Sequence, residues 1–126
     1  MKRFLMTVLI LGLITLFLAA CGGSGTRGTG ATVHMGPTNF TQPSVTISKG
    51  SSVTLVNDTS TVHIIANGQW VNGAPQPKQE SGAPTVSNVQ FNTNGQSQNI
   101  GPFQTAGTFH LYCSVHPGMN LTITVQ

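Results

Sequence analysis

Side chains able to do chemistry are scarce in this chain of 126 residues. They concentrate near its end, in Tyr112-Cys113-Ser114-Val115-His116-Pro117-Gly118-Met119. A thiol, an imidazole and a thioether stand there at the spacing Cys-x2-His-x2-Met, and all three bind soft or borderline metal ions. A loop of that length folds its donors around one ion but leaves the ion a ligand short. His63, on the apolar run "STVHII" just after the polar stretch Asn57 to Thr61, supplies the missing one. The donor types also select the metal. A thiolate and a thioether are soft donors and, with two imidazoles, favour copper. Zinc takes Cys and His but is poorly served by Met, and hard oxygen donors are nearly absent, since Asp58 and Glu80 are the only carboxylates. Taken singly, Cys113 and Met119 are ordinary packing residues; their spacing points to a metal.

The elements that must position these residues read as strands. Short alternating runs rich in Val, Ile and Thr recur along the chain: "ATVHM", "SVTIS", "SVTLVN", "TVHIIA", "TVSNVQF", "GTFHLYC" and "LTITVQ". Lys49-Gly50, Asn67-Gly68 and Asn94-Gly95 supply turn signals between them. The pattern predicts an all-β, antiparallel sandwich or barrel. Val71 to Pro84 holds too much Pro and Gly for a strand and reads as a long loop with at most one helical turn. Alternation in "GTFHLYC" puts Phe109, Leu111 and Cys113 on the core face and turns His110 and Tyr112 outward. In the last run Leu121, Ile123 and Val125 share one face. His34 and His110 are expected in structural or surface roles, and Trp70 in core or loop packing.

The chain's beginning has another layout. Lys2 and Arg3 precede an apolar run from Phe4 to Leu18, the plan of an export signal and too short for a confident membrane span. Leu18-Ala19-Ala20-Cys21 resembles the lipobox of bacterial lipoproteins, which implies a signal over 1–20 and a lipidated Cys21. The Gly-rich stretch 21–30 reads as a flexible tether, followed by one small domain over 31–126. With Cys21 in the signal junction, Cys113 is left as a lone thiol rather than half of a disulfide. Beyond the signal, Arg27, Lys49 and Lys78 face Asp58 and Glu80, a formal charge of +1. No basic cluster exists to neutralise phosphates, which argues against nucleic-acid binding.

"SVTLVNDTSTVHIIA" and "IGPFQTAGTFHLYCSVHPGM" together resemble the cupredoxins, the small blue copper proteins. The short Cys-x2-His-x2-Met loop is similar to that of amicyanin, and "YCSVH" to that of plastocyanin. The resemblance spans essentially 31–126 and implies a Greek-key fold with one type 1 copper site. It implies His63, Cys113, His116 and Met119 as ligands, the last axial, in a single-electron carrier that is not an enzyme. Copper trafficking without electron transfer is the alternative, although such proteins favour many Met and His residues and only Met35 and Met119 follow the signal. Catalytic copper centres need further histidines, and too few remain. The resemblance implies docking through an apolar patch with Val115, Pro117 and Gly118 around His116, and a second route through Tyr112. Expected partners are redox proteins of a respiratory or other membrane electron-transport chain, met by a monomer anchored by lipid outside the cytoplasm. The chain departs from the family at Ile64, where Asn is usual and Ser114, Asn57 or Thr61 would have to compensate. It also departs at Val115, where Pro is usual; the N–H of Val115 is then expected to point at the Cys113 sulfur.

Overall fold

The computed structural model describes residues 29–126. The expected export signal, Cys21 and nearly all of the expected tether lie outside them. The described residues form strands β1 (Ala31–Met35), β2 (Ser44–Ile47), β3 (Ser51–Asn57), β4 (His63–Val71), β5 (Ala74–Pro77), β6 (Val89–Phe91), β7 (Ser97–Phe103), β8 (Gly107–Cys113) and β9 (Asn120–Val125), with no helix. None of them, therefore, forms a helix long and apolar enough to cross a membrane. One sheet runs β1-β3-β7 and the other β2-β9-β8-β4, with β6 and β5 sharing the free edge of β4.

Alternation does the folding work predicted for it. In β3 the buried residues are Ser51, Val53, Leu55 and Asn57, and in β9 they are Leu121, Ile123 and Val125. Val33 and Leu55 from one sheet meet Ile65, Leu111 and Ile123 from the other in a single core. At about 1.5–3 kcal/mol for each large apolar side chain removed from water, this core is what holds the two sheets together.

The sheets are mixed rather than antiparallel. β1 lies parallel to β3 and β2 parallel to β9. Both are edge strands, and the chain passes from one sheet to the other between them, so neither can be placed by a hairpin. Alternation reports which face is buried, not the direction of the neighbour.

Residues 71–84 contain a hairpin and no helical turn. Asn72 and Gly73 both have positive φ, 50° and 76°, as a two-residue type I′ turn demands. β5 then pairs with Gly68–Val71 of β4. Pro75 and Pro77 are tolerated because β5 is an exposed edge that needs no donors on its free side. Conversely, Asn67-Gly68 is no turn and lies inside β4. Gly68, at φ 129°, passes so close to β5 that a Cβ would strike the Gln76 carbonyl. β7 had no signal in the sequence. Its register against β3 slips between Ser51↔Phe103 and Val53↔Ile100, a bulge that sets the buried residues three apart and hides the two-residue period.

Candidate metal centre

β8 delivers Cys113 to the end of the core face, where its side chain is fully buried. Two tight turns follow. His116 N–H donates to the Cys113 carbonyl at 3.4 Å, and Met119 N–H donates to the His116 carbonyl at 3.1 Å. Pro117 and Gly118 are the central residues of the second turn, and Gly118 has φ 80°. That is the positive φ a type II turn requires at its third position, with Pro favoured before it. Cys113 N–H donates to the Met119 carbonyl at 3.0 Å and closes the loop. His116 is thereby returned over Cys113, and Met119 is buried beneath.

His63 arrives from the first residue of β4, opposite Phe91 of β6, with none of its surface exposed. Its Nδ1 lies 3.7 Å from Cys113 Sγ, and His116 Nδ1 lies 3.3 Å from the same sulfur. The two rings are tilted by 58° with centroids 4.9 Å apart. The three donor atoms fall within 4.8 Å of one another. Metal–nitrogen bonds of about 2.0 Å and metal–sulfur bonds of about 2.3 Å, at trigonal to tetrahedral angles, separate N from S by roughly 3.5–3.7 Å. The His63 separation matches that range and the His116 separation falls just short of it, so small side-chain adjustments would seat one ion among the three.

The electrostatics agree. Burial lowers the His63 pKa below 6.5, the His116 ring lowers it further, and the Gly36 carbonyl opposes them. The ring is thus held neutral, the form that ligates a metal. Its Nε2 is buried without a partner at full hydrogen-bond geometry, the Gly36 carbonyl being near enough only to oppose the lowering.

Residues 29–126 match the family model of copper binding proteins, plastocyanin/azurin family. The chain belongs to that family. Its fold is similar to the crystal structure of amicyanin from Paracoccus versutus, with TM-score 0.57 and 22% identity over 77% of this chain and 81% of that one. It is also similar to a purple cupredoxin from Nitrosopumilus maritimus, with TM-score 0.56 and 24% identity over 76% of this chain and 99% of that one. No curated protein sequence matches. His63, Cys113 and His116, with Met119, form the candidate type 1 copper site of this cupredoxin.

Ser114 makes good the departure at Ile64. Its N–H and hydroxyl both donate to the Ile64 carbonyl, at 2.8 and 3.3 Å, and tie the Cys113 loop to the His63 strand. Asn57 braces the approach to His63, donating to the Thr61 carbonyl at 2.9 Å and accepting from Thr59 N–H at 3.2 Å. The expectation for Val115 is not met. Among the described residues, the hydrogen-bonding neighbours of Sγ are the two Nδ1 atoms and no backbone N–H.

The other histidines consume the carboxylates. His34 Nδ1 lies 2.8 Å from Asp58, and His110 Nδ1 lies 2.7 Å from Glu80. Both acids of the chain are thus engaged away from the metal site, whose donors are nitrogens and sulfurs. Val115 is 47% exposed next in the chain to the partly exposed His116, Val62 is 45% exposed next to the buried His63, and Pro117 and Gly118 are also exposed.

Tyr112 corrects the sequence reading. It occupies the outward face, as alternation requires, but is only 4% exposed. Trp70 covers it edge-on, ring centroids 6.2 Å apart, so the second route expected through Tyr112 does not open directly on the surface. Trp70 and Asn120 are the residues that sequence reasoning missed. Trp70 Nε1–H donates to the Cys113 carbonyl at 2.8 Å, and nothing in the spacing of a lone tryptophan beside Asn67-Gly68 announces that contact.

Proposed function

We propose that the protein is a single-electron carrier rather than an enzyme, in which His63, Cys113, His116 and Met119 would hold the copper. The observation that carries this reading is the buried, carboxylate-free cluster of soft donors, of which only His116 reaches the surface. Copper held there supplies a Cu(II)/Cu(I) couple of one electron. The residues of this chain do the rest. The two turns and the Cys113–Met119 bond hold the donors in place for both oxidation states, and the core excludes water from His63 and Cys113. The His116 ring carries the electronic contact to the surface. Around it, Val115, Pro117 and Gly118 offer partners an apolar, uncharged rim, which suits brief encounters with redox proteins of a membrane electron-transport chain rather than steered, tight ones.

The protein acts as a monomer tethered to the outer face of a bacterial membrane. The lipobox-like Leu18-Ala19-Ala20-Cys21 and the Gly-rich stretch after it support this. Cys21→Ala should release the protein from the membrane fraction without altering its colour.

The deciding experiment loads the protein with Cu(II) and records optical and EPR spectra and a voltammogram. An intense visible band lost in Cys113→Ser, with a reversible one-electron wave, is the expected result. A colourless protein that holds only Cu(I) would replace the carrier with a copper-trafficking role.

A further inference from the structure

We propose that Trp70, working together with Asn120, is a positioning residue that holds the metal-ligand loop shut from the outer face of the sheet. The inference rests on the copper site and not on the carrier role. β4 pairs with β8 only from Ile65↔Cys113 to Asn67↔Leu111. A strand continuing straight would next run beside His110 and Thr108, away from the metal loop. Instead, Trp70 bonds Cys113 and Asn120, so beyond Gly68 the strand leaves its ladder and crosses over β8 towards β9.

The crossing brings one residue to both ends of the loop. At the first end, the indole N–H donates to the Cys113 carbonyl at 2.8 Å. At the other end, directly after Met119, Asn120 mimics a neighbouring strand. Its Oδ1 accepts from Trp70 N–H at 2.7 Å, and its Nδ2 donates to the Trp70 carbonyl at 3.0 Å. The Cys113 carbonyl has one other acceptor contact inside the loop, the long 3.4 Å bond from His116 N–H. Trp70 is therefore its shorter partner, and the indole N–H, rather than the ring alone, is the group in use.

Fixing both ends fixes how far Met119 stands from Cys113 and how the thiol points. Outer bonds of this kind orient metal ligands, and losing one typically weakens metal affinity by about 10–100-fold. The brace works beside the Ser114–Ile64 tie, which joins the loop to the His63 strand but reaches only its first residues.

The test uses the whole domain with copper as the probe. Trp70→Phe keeps the ring against Tyr112 and removes the N–H, Asn120→Ala removes the other end, and Tyr112→Phe is the packing control. Trp70→Phe and Asn120→Ala should each weaken copper affinity roughly 10-fold against a competing chelator. Each should also shift the visible band and the reduction potential, with Tyr112→Phe leaving all three unchanged. The double variant should lose less than the product of the two single losses, because both act on one loop.

In the metal-free protein, the buried Cys113 thiol should react faster with a disulfide reagent at fixed pH in both variants. Should Asn120→Ala fail to fold, Asn120→Asp keeps the acceptor for Trp70 N–H and should show a smaller loss in the same direction. The proposal is overturned if Trp70→Phe matches the parent in affinity, band, potential and thiol reactivity while only its unfolding midpoint falls. A parent protein that takes up no Cu(II) would count against the copper reading instead, and the thiol reactivity would still decide the brace.

Discussion

The two faces of β8 are built from alternate residues of one strand, yet they are finished in opposite ways. On the inner face, Phe109, Leu111 and Cys113 run into a site where His63 Nδ1, Cys113 Sγ and His116 Nδ1 have only one another as neighbours and no carboxylate is present. On the outer face, His110 is held by Glu80, and Tyr112 is roofed by Trp70, whose own polar groups are all bonded. The difference teaches where bonding capacity is spent. Outer-face groups saturate one another and make a rigid cover, whereas inner-face donors are kept free of competing bonds and so remain available to a metal.

That comparison can be broken from either side. The largest effect on stability is expected inside. Leu111→Ala should cost about 2–5 kcal/mol in denaturant unfolding, because the site is sealed between two sheets and cannot collapse. A loss below that range would mean the core is looser than its burial indicates. Gly68→Ala attacks the outer cover. The added Cβ meets the Gln76 carbonyl at a backbone conformation that disfavours side chains, so β5 must shift, at about 1–3 kcal/mol. The emission of the single tryptophan should move to the red as Trp70 lifts from Tyr112. An unchanged spectrum would show that the hairpin is not what seats the indole.

Glu80→Gln is milder. It exchanges a charged partner of His110 for a neutral one on a partly exposed pair, and about 1 kcal/mol or less is expected from thermal or chemical unfolding.

The smallest effect is a pH dependence in the metal-free protein. The pKa of His63 is lower folded than its unfolded value of 6.5, so below that pH the unfolded chain binds the extra proton. Unfolding free energy therefore rises with pH between the lowered value and 6.5, and His63 adds no slope above it. Comparison with His63→Gln at pH 5 and pH 7 isolates this contribution. The parent should lose more stability than the variant on going to pH 5; equal losses would remove the effect.

Much of the inner face was legible beforehand, and little of the outer. Phe109, Leu111 and Cys113 were assigned to the core by period alone, because burial on one side of a strand leaves a two-residue signature. His63 could be matched to the loop only through the joint pattern of donors. The hairpin at Asn72-Gly73 carried the strongest turn signal in its segment and was obscured by Pro75 and Pro77, which an edge strand accepts. Gly68 looked like a turn because its freedom at positive φ serves turns and close approaches alike. The bulge that hides β7 is likewise a local break in a periodic signal.

By itself, then, the sequence determined the donor chemistry, the strand faces and the two turns that fold Cys113, His116 and Met119 together. These are consequences of residue type and short-range geometry, and they survive without knowledge of any distant contact. Only the tertiary structure decided that β1 and β2 lie parallel to their neighbours, that Asp58 and Glu80 go to His34 and His110, and that Trp70 crosses β8 to hold both ends of the metal loop. Each of these joins groups at least 22 residues apart. Such meetings are set by how two sheets pack, and no local pattern records them.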